Sequence, residues 1–219
     1  MSSRGPAVVR FAALAVAAAA GFVACGGTTR EAGAGSGTLT GTVGSTTFSV
    51  ASQLAVVEAE SEACTGSSSG SETCSSSGQV VAVLLTNRAD VTCATAQSEE
   101  ATGANIEFAN FDVLELAVGV ETGTVATGTF AVAGPDAGAD APIAGAQLST
   151  SNATCQSAPT VEATGGSITL TQVSATTVTG TYDVTFGAQG SFSGSFNVDI
   201  CELPDGGGVP DDGGAPTCK

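Results

Sequence analysis

Histidine and tryptophan are absent from this chain, tyrosine and methionine occur once each, and lysine and arginine together number five. Without imidazole there is no Ser-His-Asp triad, no Cys-His dyad and no histidine-ligated zinc site. The only lysine is Lys219, which leaves none near a core for Schiff-base chemistry. Most familiar hydrolase mechanisms are closed by these absences, so a non-enzymatic protein with no cofactor is expected. Five basic residues against 21 acidic ones give a net charge of −16. A nucleic-acid partner is not expected, because phosphate backbones are held by Lys and Arg that displace counterions.

What is present suits one globular domain with flanking segments: 219 residues, 42% hydrophobic, 12% charged, with 30 glycines and 7 cysteines. The start "MSSRGPAVVR" carries two arginines and no acid, and residues 11–24, "FAALAVAAAAGFVA", are all apolar or small. A charged n-region followed by an h-region of this length reads as a signal peptide over 1–24, and falls short of the ~20 residues that a spanning helix needs. "FVAC" at its end resembles the lipobox of bacterial lipoproteins, with Phe22 where leucine is usual. That resemblance implies lipidation of Cys25 and anchoring to a membrane. Ordinary secretion is the alternative, since Ala18 and Ala20 form an A-x-A site cleavable after Ala20.

Cysteine parity bears on the choice. Seven cysteines leave one unpaired in an oxidising compartment, whereas a lipidated Cys25 leaves six that can all pair. Residues 25–37, "CGGTTREAGAGSG", have the composition of a flexible tether. By resemblance to the sorting of Gram-negative lipoproteins, Gly26 after the cysteine favours the outer membrane, on its periplasmic face or at the cell surface. Removing 1–24 takes Arg4 and Arg10, so Arg30, Arg88 and Lys219 face all 21 acids.

From residue 38 the pattern has period two. "GTLTGTVGSTTFSV" alternates apolar and hydroxyl residues around a two-residue Gly44-Ser45 turn. In "TVTGTYDVTF" the inward set is Val178, Gly180, Tyr182, Val184 and Phe186; in "SFSGSFNVDI" it is Phe192, Gly194, Phe196, Val198 and Ile200. A loop of Ala188, Gln189 and Gly190 would set Tyr182 opposite Phe196 and Gly180 opposite Val198. Glycines inside these rows either let the sheet bend or make room for bulky neighbours. Further strands are expected over 79–87, 105–120, 127–134, 146–152 and 167–173. The fold class is therefore all-β: a curved antiparallel sheet forming a β-sandwich or barrel of roughly eight to ten strands over residues 38–202. One short helix is expected near residues 88–100, and 203–219 reads as a Gly/Pro/Asp-rich tail.

Cys64, Cys74, Cys93, Cys155, Cys201 and Cys218 are the disulfide candidates, with 15 pairings open. Cys64 with Cys74 across a polar loop is the first expectation, Cys155 with Cys201 the second, and Cys93 with Cys218 follows by elimination. No C-x-x-C pair supports a metal site. Asp136, Asp140, Asp205, Asp211 and Asp212 lie in flexible loops suited to Ca²⁺, without the D-x-D-x-D-G spacing, and read as solvated acids. Glu107, Asp112 and Glu115 could supply the paired carboxylates of a glycosidase, against their reading as solubilising charges on a strand edge. The sequon at Asn152-Ala153-Thr154 reads as a chance match in a bacterial chain.

Taken together, "VVAVLLTNRADVTC", "TGTFAVAG", "GGSITLTQV" and "VTGTYDVTFGAQGSFSGSFNVDIC" resemble surface lipoproteins of myxobacteria, which end in a similar G-S-F-x-x-x-x-C strand. The likeness spans most of 38–201 and implies location and a β-rich fold, not functional residues. The expectation is a cell-envelope lipoprotein acting as a binding or structural module. A lipocalin-like carrier of a small apolar ligand, its interior lined by Phe108, Phe111, Tyr182 and Phe196, is the alternative.

Overall fold

A computed structural model of the chain describes residues 36–61, 76–95, 97, 106–120, 123–133, 143–201 and 217–218. Residues 1–35, including the signal-like segment, Cys25 and most of the tether, lie outside the described residues, as do Cys64, Cys74 and 202–216. The strands are β1 (Thr38–Val43), β2 (Ser52–Ser61), β3 (Ser76–Thr86), β4 (Ile106–Glu107), β5 (Asp112–Val120), β6 (Gly128–Ala131), β7 (Ile143–Thr150), β8 (Val161–Glu162), β9 (Gly165–Val173), β10 (Thr177–Thr185), β11 (Gly190–Cys201) and β12 (Thr217–Cys218). Ten of them form one sheet, ordered β6-β9-β10-β11-β2-β3-β5-β7-β8, with β1 also on β11. The all-β expectation stands. Helical residues near 88–100 are 93–95 and 97.

The sheet curls into a half barrel whose ends touch. Val132, just past β6, bridges Ala144 of β7. Ala133 N donates to Ala144 O at 3.0 Å, while Ala163 N, continuing the β7–β8 ladder, donates to Ala146 O at 2.8 Å. β11 is the strand around which this closes. One edge carries β10; the other is divided, with Gly190 to Ser195 paired antiparallel to β1 and Ile200 and Cys201 paired parallel to β2.

The two halves of the sheet have different sequences because they have different surroundings. In β10 and β11 the even-numbered set faces the core, where Phe192, Phe196, Val178, Val184 and Val198 are 0–1% exposed. The outer face is hydroxyl-rich, with Thr38 on Ser195 and Thr40 on Ser193, each at 3.1 Å, and Thr129 on Thr169 at 3.0 Å. Strands β2, β3 and β5 are covered on both sides. Ala55, Val83, Leu85, Leu114 and Leu116 join the main core, while Leu54, Val56, Leu84 and Val113 form a second cluster with Cys93 and Cys201. Burial on both faces makes these strands read as near-continuous apolar runs.

Register at the β10–β11 hairpin differs from the expectation by two residues: Tyr182 lies opposite Gly194 and Gly180 opposite Phe196. The loop is Gly187–Gln189, one residue earlier than expected, closed by Phe186 N donating to Gly190 O at 2.8 Å. Packing favours this register. A Cβ on Gly180 would come within 2.6 Å of the Phe196 ring, and one on Gly194 within 2.8 Å of Tyr182 Oη. Each aromatic thus lies over the glycine facing it, so making room for bulk is the role these two glycines show. The Gly44-Ser45 turn forms as expected, with Val43 and Thr46 exchanging hydrogen bonds at 2.9 and 3.1 Å and Gly44 at φ +59°.

Tyr182, 4% exposed, donates its phenol hydrogen to Thr38 O at 2.9 Å, and burial pushes its pKa upward. An acid whose folded value lies above its unfolded value holds its full stabilisation below the unfolded value, about 10, and loses it as pH rises towards the folded value. With one tyrosine and no tryptophan, phenolate absorbance reports this group alone. The folded protein is expected to show no phenolate band at pH 10.5, and the band should appear only with unfolding; half-ionisation near pH 10 in the folded state would contradict the burial argument.

Candidate functional site

Polar chemistry concentrates where β3, β5 and β7 meet their loops. Asn87, just past β3, donates from Nδ2 to Asn110 O at 3.0 Å and Asp112 Oδ2 at 2.9 Å, and accepts from Asp112 N at 3.1 Å. Ser151, just past β7, donates to Phe108 O and accepts from Phe111 N at 3.1 Å. Arg88 grips Asp90 through Nε at 2.8 Å and Nη2 at 2.6 Å, and Nη1 donates to Ala109 O at 3.2 Å. Its guanidinium lies 4.8 Å from the Phe108 ring centroid. The hydrogen bond to Asp90 raises the arginine's pKa, and desolvation raises that of Asp112.

Asn110 and Cys155, the two non-glycine residues with positive φ among the described ones, both lie here, at +52° and +57°. Asparagine tolerates this conformation better than most residues. Asn152 is exposed and forms a capped turn, its Oδ1 accepting from Thr154 N at 2.9 Å, Thr154 Oγ1 at 2.8 Å and Gln156 N at 3.0 Å. These bonds tie three loops together; they bring no nucleophile and base into contact. Sequence reasoning did not single out Asn87, Arg88 or Ser151. The available signal was Arg88, a solitary cation in a long acidic stretch.

Glu115 lies elsewhere, on the outer face of β5, paired with Gln147 of β7 and hydrogen-bonded to its Nε2. Desolvation raises its pKa, against the Gln147 bond and with the Glu58 charge. Folding therefore binds a proton more tightly, and stability falls as pH rises through the interval above the unfolded value, about 4.3. Glu115→Gln is expected to flatten that part of the profile and raise the urea midpoint at pH 7 by a few tenths of a molar. An unchanged profile between pH 4 and 8 would refute it. Asp112 and Glu115 are three residues apart on one strand and so project from opposite faces. They do not form a carboxylate pair, and the side chain of Glu107 lies outside those described.

The four candidate lining aromatics separate into two pairs. Tyr182 and Phe196 stack inside at 6.4 Å between centroids, while Phe108 and Phe111 contact one another at 5.5 Å by the loops, Phe111 packing on the second cluster. They do not share one wall. The cysteine pairing also differs from expectation: Cys93 is bonded to Cys201, across 108 residues, with Cα atoms 5.4 Å apart. Cys155 with Cys201 and Cys93 with Cys218 are therefore both ruled out. The cause is topological: β11 ends against β2, beside Val91 and Cys93. Cys155 is itself disulfide-bonded. Asp136, Asp140, Asp205, Asp211 and Asp212 lie outside the described residues.

No known family matches this chain, and neither does any curated protein or solved structure. Among the described residues no three cysteines, aspartates or glutamates gather as a metal-ligand set. One further feature lies at the seam between β1 and β2. Gln53 is 9% exposed and its Oε1 has no hydrogen-bond donor, lying instead against Gly37.

Proposed function

We propose that this chain is a lipid-anchored module of the bacterial cell envelope, held to the outer membrane through Cys25, with a non-catalytic binding or structural role. The observation that carries the reading is the sequence "FVAC" after a charged and then apolar leader, followed by a Gly/Thr/Ser tether. Support comes from the domain itself. The tether is followed directly by β1, and the aromatic and aliphatic residues packed in the half barrel's interior support a structural or binding role. The absence of histidine and the tying-up of loop side chains in hydrogen bonds favour display over chemistry.

The carrier alternative has less support, because Tyr182 and Phe196 stack within the main cluster while Phe108 and Phe111 pair with one another outside that cluster. The decisive experiment is the intact mass of protein purified from membranes, with fragmentation of its N-terminal peptide. A start at Cys25 carrying acyl mass is expected. An unmodified start at Gly21 would overturn the anchor and make this a secreted protein with an odd thiol.

A further inference from the structure

We infer that the partner of Cys155 is Cys218, so that a disulfide pins β12 across the loop cluster. Cys93 and Cys201 are consumed by one another, which leaves Cys25, Cys64, Cys74 and Cys218 as possible partners. Chain reach excludes two of these.

Cys155 follows β7, and Thr150 at the end of β7 pairs with Asp112 at the start of β5. Its neighbour Val113 pairs with Thr86, and Thr86 with Ser52, so Cys155 belongs to the Ser52 end of the sheet. Cys64 and Cys74 lie in the connection from Ser61 to Ser76, which leaves from the other end. The ten residues of β2 separate those ends by roughly 30 Å at about 3.3 Å per residue. Cys64 is three residues past Ser61 and Cys74 two before Ser76, so each stays within about 11 Å of the far end. Disulfide Cα atoms must approach to ~4.4–6.8 Å. Neither cysteine can do so with Cys155.

Cys218 is already at the right end. β12 runs parallel to β4 with Cys218 paired to Glu107. The next residue, Phe108, accepts from Ser151, and Asn110 N donates to Asn152 O at 3.0 Å. Cys155 N donates to that same Asn152 O at 3.0 Å, closing the turn. Two short backbone steps therefore link Cys218 to Cys155. Formation releases two protons and two electrons from the two thiols; the electrons pass by exchange to a protein disulfide of the oxidising compartment, which leaves as a dithiol. Cys64 and Cys74 then have only one another, and Cys25 stays out of the set. This last point rests on the anchor proposed above, since the tether is long enough for Cys25 to reach many places.

The test is peptide mapping of the full membrane-purified protein, alkylated and digested without reduction. A linked peptide pair containing Cys155 and Cys218 is expected, with Cys25 in neither partner. Cys155 linked to Cys64, Cys74 or Cys25 would overturn the assignment. The anchor fails separately: a Cys155–Cys218 link beside an alkylated, unacylated Cys25 leaves the pairing intact and removes the lipid. As a second readout, Cys155→Ala should free one alkylatable thiol, located at Cys218. A thiol freed at any other position would refute the inference.

Discussion

Replacing Cys93 and Cys201 together by alanine is expected to lower the unfolding free energy by about 4–5 kcal/mol, because the closed loop spans 108 residues and chain-entropy estimates for loops of that length reach about 4.7 kcal/mol. The bond does more than shorten the unfolded chain. Its two cysteines, 7% and 3% exposed, pack with Leu54, Val56, Leu84 and Val113 and hold the segment of Val91 and Cys93 over the outer face of β2, β3 and β5. Loss of the bond should therefore also raise binding of an apolar dye. Urea unfolding of the double variant beside wild type, both without reductant, measures the first effect. A loss under about 1 kcal/mol would show that packing alone retains the segment.

Gly194→Ala is expected to cost about 3 kcal/mol, the upper range for forcing extra volume into a packed interior. A Cβ there overlaps the Thr38 carbonyl oxygen and lies 2.8 Å from Tyr182 Oη. It therefore strikes both the β1–β11 ladder and the hydrogen bond that holds β1 from inside. Tyr182→Phe, which removes only that bond, should cost about 1 kcal/mol. Ser193→Ala, the neighbouring position on the hydroxyl face, should stay within about 0.5 kcal/mol of wild type. Equal effects for Gly194→Ala and Ser193→Ala in thermal or urea unfolding would remove the close-approach argument.

The strands with one dry face and one wet face were legible, because a period of two is written directly into residues 177–200. β2 was not. "SQLAVVEAES" has small and acidic residues, and both its faces are covered, Leu54 and Val56 outward and Ala55 inward, so no alternation survives. Parity fixed which side chains of β10 and β11 face inward, but pairing needed the loop. A shift of two residues preserves parity, and the contacts of Phe196 with Gly180 and Tyr182 with Gly194 chose between the registers. Disulfide partners depend on which strand ends meet, and β11 lying parallel to β2 is a long-range fact that spacing does not contain. The loop cluster was opaque for the same reason: Asn87, Arg88, Phe108 and Ser151 come from three separate segments.

The divided edge of β11 also sets an order in time. β1 pairs with no other strand among those described, and β2 meets the other half of the barrel there, yet β11 follows every other long strand described. On the export proposed above, a chain threaded N-terminus first must keep β1 waiting until residues 190–201 have emerged. Through that interval Cys93 is present without Cys201, while Cys64, Cys74 and Cys155 have already arrived. Thiols meet their oxidant in the order of emergence, whereas the native bonds follow the order of the sheet. Maturation is therefore expected to pass through wrongly paired species, and its pace to be set by thiol–disulfide exchange rather than by strand formation.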